Sequence, residues 1–505
     1  MQRFRLYILL VLSGFQWILS AWSCTPDPVS AGHFAVADVF GNHMVLQRNK
    51  PIFIWGRAFP RTEVEVQLEQ DKQTVKADPE GNWSVRFPAR SASVEPLSLS
   101  VSNLDSALVF SDILVGDVWF FSGQSNMDFI LKDANNGVAF ASKNAGNLSV
   151  RLLEFNPVAG TNNQAWDSAT IAKVQDSDFF SARWKPNNFE NAAGFSAIAY
   201  AFGIEIQEAT KVPVGLIEMA VGGSPQVSWM SRESLKAFPG FGFLDENWIN
   251  NPNLMAWCRE RAAVNLANGT ARNPKHPFAP SYNCEAGLMR LLPFPIRGMV
   301  WYQGESDAEN QDVYEQLFPA FVHDLRQKWN DDFPFYYVQL SSIDRSTWPE
   351  FRDLQRRMLQ IIPNSAMAVS TDLGDSTDVH PREKLPVGYR LARLAMSNDY
   401  GMEIVPSGPL FDRISQDTNG IRVYLKYSEG LSTRDGEQLK GFGFLDDNGK
   451  LLQTEAYIAG NHVVVRIPAS VKPRFLVYGW EPFTRANLQN GAGLPASTFR
   501  IKLSE

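Results

Sequence analysis

Along this chain the spacing of apolar and polar positions changes character twice, and each change marks a change of architecture. From 33 to 112 single alternation dominates, in residues 51–56, 63–68, 83–87 and 97–101. A period of two is the mark of a half-buried strand. Asp78-Pro79-Glu80-Gly81-Asn82 is a turn between two of these strands. The pattern predicts a small antiparallel β-sandwich over 33–112, with Trp55 and Trp83 either packed in its core or offered to carbohydrate. From 113 to 400 strands alternate with helices. The run 115–121, apolar except for Gly116 and Asp117, reads as a buried parallel strand that stops at Ser122-Gly123-Gln124-Ser125-Asn126. Further strands are predicted at 150–155, 214–221, 296–302, 335–340 and 366–370. Phe195, Ile198, Ala199, Phe202 and Ile206 share one helical face, and a second helix is predicted over 313–329. Residues 238–293, rich in Asn, Pro and aromatics, read as an insertion or long crossover. This succession predicts a parallel sheet covered by helices on both faces. From 401 to 505 short strands return, at 420–425, 462–467 and 475–480, with Asp447-Asn448-Gly449 as a hairpin turn, and predict a second all-β module.

The first residues carry a different signal. Arg3 and Arg5 precede an apolar stretch at 6–19, followed by Ser20, Ala21 and Ser23, which is the layout of a secretory signal over 1–24. That stretch is short for a membrane span of about 20 residues. The chain is therefore expected to be exported, to the bacterial periplasm or the outer membrane. Ala21-Trp22-Ser23-Cys24 resembles a lipoprotein box, so Cys24 is a candidate for an N-terminal lipid anchor. Cys258 and Cys284 are then left as a pair, either bridged in an oxidising compartment or present as two buried thiols. A formal net charge of -7 over 505 residues gives no electrostatic reason to expect nucleic acid as a partner. No later stretch is long and apolar enough to span a bilayer, and no His/Cys/carboxylate spacing or phosphate-cradling Gly loop suggests a metal or other cofactor.

Ligands of open α/β sheets bind at the carboxyl ends of the strands, so Ser125, just past the 115–121 strand, faces a crevice. It is either a nucleophile or only a turn and cap residue. Two other strand ends finish in Gly222-Gly223 and Gln303, and a late segment, Asp372-Leu373-Gly374-Asp375-Ser376-Thr377-Asp378-Val379-His380-Pro381, supplies a histidine preceded by carboxylates. Acyl transfer needs these types. A serine hydroxyl needs a general base, and imidazole suits that task. A carboxylate on the far ring nitrogen fixes the tautomer. The tetrahedral oxyanion needs fixed donors, each worth roughly 3–4 kcal/mol of barrier.

Gly123-Gln124-Ser125-Asn126-Met127, Gly222-Gly223-Ser224, Trp301-Tyr302-Gln303-Gly304-Glu305-Ser306 and Asp378-Val379-His380-Pro381, in that order, resemble the sialate O-acetylesterase family, a branch of the SGNH hydrolases. The likeness runs from Met44-Val45-Leu46-Gln47 and Trp55-Gly56 to Gly493-Leu494-Pro495-Ala496-Ser497. It implies a flavodoxin-like three-layer α/β/α hydrolase domain over 113–400 with flanking all-β modules. It further implies a serine esterase that removes acetyl groups from sugar hydroxyls without a cofactor. Ser125 is then the nucleophile and His380 the base, with the Ser125 N–H, Gly223 and Gln303 as the oxyanion hole. The acid member is Asp378, Asp375 or absent, because position 377, where many SGNH enzymes carry Asp, is Thr. Val221 stands where relatives often carry Trp and alters the pocket wall. Glu305 is expected to hydrogen-bond the turn that positions Gln303. His33, His43, His276, His323 and His462 are expected to be structural or solvated, and Trp229 and Tyr302 either line a sugar site or pack in the core. Two other readings remain: an inactive carbohydrate-binding surface protein, and an SGNH lipase for longer acyl chains. Whether the sugar is sialic acid or a plant or host polysaccharide is left open.

Overall fold

The computed structural model describes residues 34–417, 420–468 and 473–503. The signal segment, Cys24 and His33 lie outside the described residues. The fold is mixed α/β and is built around one long strand, β1 (Ala107–Gly123). Its first half alternates exposed and half-buried residues, and from Ile113 every position is buried. The switch coincides with Asp112, which takes a positive φ of 55°. Its carboxylate accepts from His43 Nδ1 at 2.6 Å and from Arg151 Nη2 at 3.0 Å, binding the kink to neighbouring segments.

Around β1 stand β2 (Val150–Pro157), β3 (Phe180–Pro186), β4 (Val214–Ala220), β5 (Gly298–Tyr302), β6 (Phe335–Gln339) and β7 (Ser365–Val369). Their order is β3-β2-β4-β1-β5-β6-β7, and all neighbours run parallel except β3 with β2. Without the antiparallel β2-β3 pair at the edge, the chain order of the other five is 2-1-3-4-5, the doubly wound order whose switch point lies beside the first strand. Helix α1 (Ala197–Thr210) and helix α4 (Leu385–Asn398) cover one face, while α2 (Gln311–Trp329) and α3 (Trp348–Met358) pack on the other. The period-two geometry of β1 divides its aromatics accordingly. Trp119 and Phe121 meet Phe202 of α1 edge-on, and Phe120 stacks on Trp329 of α2.

The charge that interrupts the apolar run is accounted for by its partners. Asp117 is fully buried, and Arg48 donates to both of its oxygens at 2.8 and 2.9 Å, with Gln47 and Tyr400 donating as well. A buried carboxylate is tolerated only when paired in this way.

The N-terminal strands do not end at 112. Strands 63–68, 71–76 and 93–102 are continuous with the outer half of β1, and residues 45–47 pair with it in parallel at 114–116. The 112/113 boundary therefore falls inside one strand, and the buried apolar residues form one cluster from Val39 to Met396. Trp83 is buried in it, and Trp55 packs edge-on against Phe40. The C-terminal strands have a core of their own, which includes Ile421, Val423, Phe442, Tyr478 and Phe499. They dock on α3 through Arg352, a fully buried guanidinium that donates to the carbonyls of Gly479, Glu481 and Pro482 at 2.7–3.0 Å. Burial pushes Arg352 down to about 9, so it stays charged at neutral pH. Arg352→Met is expected to leave these buried carbonyls unsatisfied and to lower stability by about 3 kcal/mol in urea unfolding. A loss under about 1 kcal/mol would show that the docking rests on apolar contact instead.

Candidate active site

Ser125 begins a single helical turn, Ser125–Asp128, directly after β1. The approach is tight. Gly123 has φ 139°, and a Cβ there would lie 2.1 Å from the carbonyl oxygen of Tyr302 on β5. That same carbonyl accepts the Gln124 N–H at 3.0 Å. Only glycine permits this closeness, and it fixes the serine at the carboxyl edge of the sheet.

His380 comes from the loop between β7 and α4. Its Nε2 lies 2.7 Å from Ser125 Oγ, within hydrogen-bond range. Burial, then the charge of Lys384, holds the imidazole below its ordinary value, with Arg345 acting in the same direction and Asp378 opposing. The imidazole is thus held in its neutral form, the one able to accept a proton.

The candidate acids sit differently. Asp378 Oδ1 is 3.7 Å from His380 Nδ1, beyond a hydrogen bond, with the Asp378 side chain 60% exposed. The same oxygen accepts the His380 backbone N–H at 2.8 Å. A carboxylate two residues ahead of an N–H closes an Asx turn readily, and this competes with the ring. Asp375 faces away: its Oδ1 accepts from the Thr377 N–H, the Thr377 hydroxyl and the Asp378 N–H at 2.8–3.0 Å. These donors, led by the Thr377 N–H, hold its carboxyl below the usual range.

The Gly222-Gly223 turn is held by its carbonyls. Thr161 Oγ1 donates to Gly222 O at 2.5 Å and Ser306 Oγ to Gly223 O at 2.9 Å. At φ 74° a Cβ on Gly223 would lie 3.0 Å from the rings of Trp257 and Phe278. Neither the Ser125 nor the Gly223 N–H finds an acceptor among the described residues. Gln303 departs from the expected arrangement. It is 1% exposed, and its Nε2 donates to Ser224 O at 3.3 Å and to Asp307 Oδ2. Asp307 is a buried carboxyl pushed up to about 7, chiefly by burial, and it draws the amide to itself. To reach a reacting oxygen, Gln303 must release one of these bonds.

Ser125, His380, Gly222 and Gly223 open on a cavity of about 500 Å³, with Asp128, Asn162, Trp257, Arg261, Glu305, Arg345 and Val221 also on its wall. Trp257 and Arg261 come from the 238–293 stretch. Trp229 and Tyr302 do not reach the cavity and are core residues. The Trp229 indole donates to Ser224 Oγ at 2.8 Å and so props the glycine turn from behind. Cys258 is a free buried thiol with Sγ 3.9 Å from Gly223 O, so it is not bridged to Cys284, which is buried too. His276 is a core histidine, stacked on Trp166 and pushed down to about 3 by burial. His43 binds Asp112, and His462 stacks on Tyr424.

The motif-based reading missed Asn126 and Lys384. Asn126 Nδ2 donates to Glu305 Oε1 at 2.5 Å and to Val379 O at 3.0 Å, and Lys384 Nζ donates to Asn126 Oδ1. Glu305 therefore serves the serine turn, not Gln303. The adjacency of Asn126 to Ser125 was the one available signal, since Lys384 lies in no periodic pattern. Among the described residues no three His, Cys, Asp or Glu are grouped to hold a metal ion, and no helix is long and apolar enough to cross a membrane.

Comparison with known proteins points to carbohydrate esterases. Residues 284–397, which include Gln303 and His380, match the family described as carbohydrate esterase, sialic acid-specific acetylesterase. The sialate O-acetylesterase of Homo sapiens is 29% identical over 422 residues, spanning 75% of this chain and 74% of that protein. That of Mus musculus is 27% identical over 439 residues, spanning 79% and 80%. A crystal structure of a carbohydrate acetylesterase from Xanthomonas citri is similar at a TM-score of 0.76 and 29% identity, covering 93% of this chain and 100% of that one. With a serine, a histidine and a glycine turn meeting at one cavity, the chain is an ester hydrolase similar to the sialate O-acetylesterases and to a carbohydrate acetylesterase.

Proposed function

We propose that this protein is an exported carbohydrate O-acetylesterase of the SGNH type, working through a serine acyl-enzyme. The observation that carries the reading is the 2.7 Å contact between Ser125 Oγ and His380 Nε2 at the wall of the cavity. The strand order around β1 supports the SGNH fold. The cavity wall carries Asp128, Asn162, Arg261 and Arg345, polar groups able to hydrogen-bond the hydroxyls of a sugar. Export is inferred from Arg3, Arg5 and the apolar stretch after them.

In this mechanism Ser125 Oγ adds to the acetyl carbonyl carbon while His380 Nε2 takes the hydroxyl proton. The oxyanion is received by the Ser125 and Gly223 N–H groups, and Gln303 becomes a third donor on releasing Ser224 O, the longer of its two bonds. When the intermediate collapses, the C–O bond to the sugar breaks and its oxygen takes the proton from His380. Water then attacks the acetyl-serine carbon with His380 taking its proton, the bond from that carbon to Ser125 Oγ breaks, Oγ recovers the proton from His380, and acetate leaves. Asp378 acts on the imidazolium as a nearby charge.

Ser125→Ala is expected to lower kcat on a small acetyl ester at least about 10⁴-fold without changing the thermal midpoint. Retained turnover removes Ser125 from the role. Asp378→Asn is expected to cost about tenfold in kcat/KM and Asp375→Asn less than about threefold, because only Asp378 faces the imidazole. The opposite ranking reassigns the acid. Because the base works unprotonated and is held below the ordinary imidazole value, kcat/KM should fall on acidification with a midpoint below 6.5. A midpoint above 6.5 contradicts the arrangement around His380.

A further inference from the structure

Lys384 is 1% exposed, and among the described residues no carboxylate is bonded to it directly. Its ammonium donates to Asn126 Oδ1 and lies 4.8 Å from the Phe129 ring centroid. A buried, incompletely neutralised ammonium is costly, and nothing in packing alone requires one at this position. Its bond places it one residue from Ser125 and four from His380. The Asn126 amide that it holds ties the Ser125 turn to Val379 O, the residue before His380, and to Glu305 on the β5 turn. Three of the four motif segments are thus joined through one side chain, whose remaining acceptor is taken by Lys384.

We propose that Lys384 is a positioning residue for the Ser125–His380 pair: through Asn126 it locks the serine turn to the histidine loop, and its ammonium is one of two positive groups, with Arg345, that act on the imidazole. This rests on the catalytic reading of that pair. Lys384 is faced by Glu305 from the β5 turn, by Asp378 from the histidine loop, and by Asn126 and Phe129 from the segment after β1. His380 is faced by Lys384, by Asp378 and by Arg345 from the loop after β6. Burial pushes Lys384 down to about 7, while Glu305 and Asp378 act against it. At the acidic pH where His380 gains its proton, Lys384 is charged. A positive charge beside an imidazole disfavours the imidazolium, so the base remains usable further into the acid range. Loss of that charge narrows the range from the acid side.

The test uses Lys384→Gln, which keeps a donor for Asn126 and removes the charge, with Lys384→Met and Lys384→Arg beside it. Two readouts are taken: the kcat/KM–pH profile on a small acetyl ester, and the titration of His380 by NMR in a Ser125→Ala background, which needs no turnover. In the Gln and Met variants His380 is expected to titrate at higher pH, and kcat/KM to fall roughly fivefold more at pH 5.5 than at pH 8, while Arg retains the parent profile. An unchanged His380 titration in the Gln variant, or an equal loss at both pH values, overturns the proposal. Should the Met variant fail to fold, the Gln variant decides alone. Loss of the serine reading would show separately, as turnover that survives Ser125→Ala.

Discussion

Everything at the cavity depends on where β1 is made to stop. The backbone of Gly123 lies so close to the Tyr302 carbonyl that no side chain fits between them, and the same carbonyl captures the next N–H. The strand cannot continue, and the chain turns into Ser125–Asp128 at the one place where β4 and β5 flank it on either side. A reacting side chain must be held in register with its partners, and a rigid mount does this. Here the mount is the inner half of β1, buried from Ile113 onward, with the one charge in that half, Asp117, matched by Arg48.

Around that mount the polar groups share a division of labour. Carbonyls of the Gly222-Gly223 turn are occupied by Thr161 and Ser306, which leaves the Gly223 N–H unengaged. The amide of Asn126 joins the serine turn to the histidine loop, and the amide of Gln303 joins the β5 end to Ser224 and Asp307. Buried amides and carboxyls of this kind are expensive unless they are bonded to one another. The network therefore holds its members in one arrangement, and the imidazole stands at its open edge.

The flanking β strands serve the sheet in different ways. Strands 63–68, 71–76 and 93–102 belong to the sheet of β1 itself, and strands 52–57 and 82–87, a separate small sheet, contribute to its apolar cluster. The C-terminal strands keep a separate core and are attached by polar bonds, among them those of Arg352, the Arg500 ion pair with Glu350 and the Gln339 bond to Ser497. The 238–293 stretch supplies Trp257 and Arg261 to the cavity wall, and so sets its shape without entering the Ser–His pair.

The apolar run 115–121, the later parallel strands, and helices α1 and α2 were legible in the sequence because each has a period that one segment carries alone. Strand β3, at the sheet edge, and helices α3 and α4 were not, since their burial depends on which neighbours arrive: α3 buries Arg352 only because three carbonyls of the C-terminal strands come to meet it. The same division holds at the site. Ser125, Gly223, Gln303 and His380 could be singled out from their motifs, as residue types suited to one reaction. That Asp378 closes on its own backbone, that Asp307 takes the Gln303 amide, and that Lys384 lies beneath the serine turn were settled only by the tertiary structure. Sequence states what chemistry each side chain has available. Distance and burial, which segments far apart in the chain impose on one another, determine which of that chemistry is used.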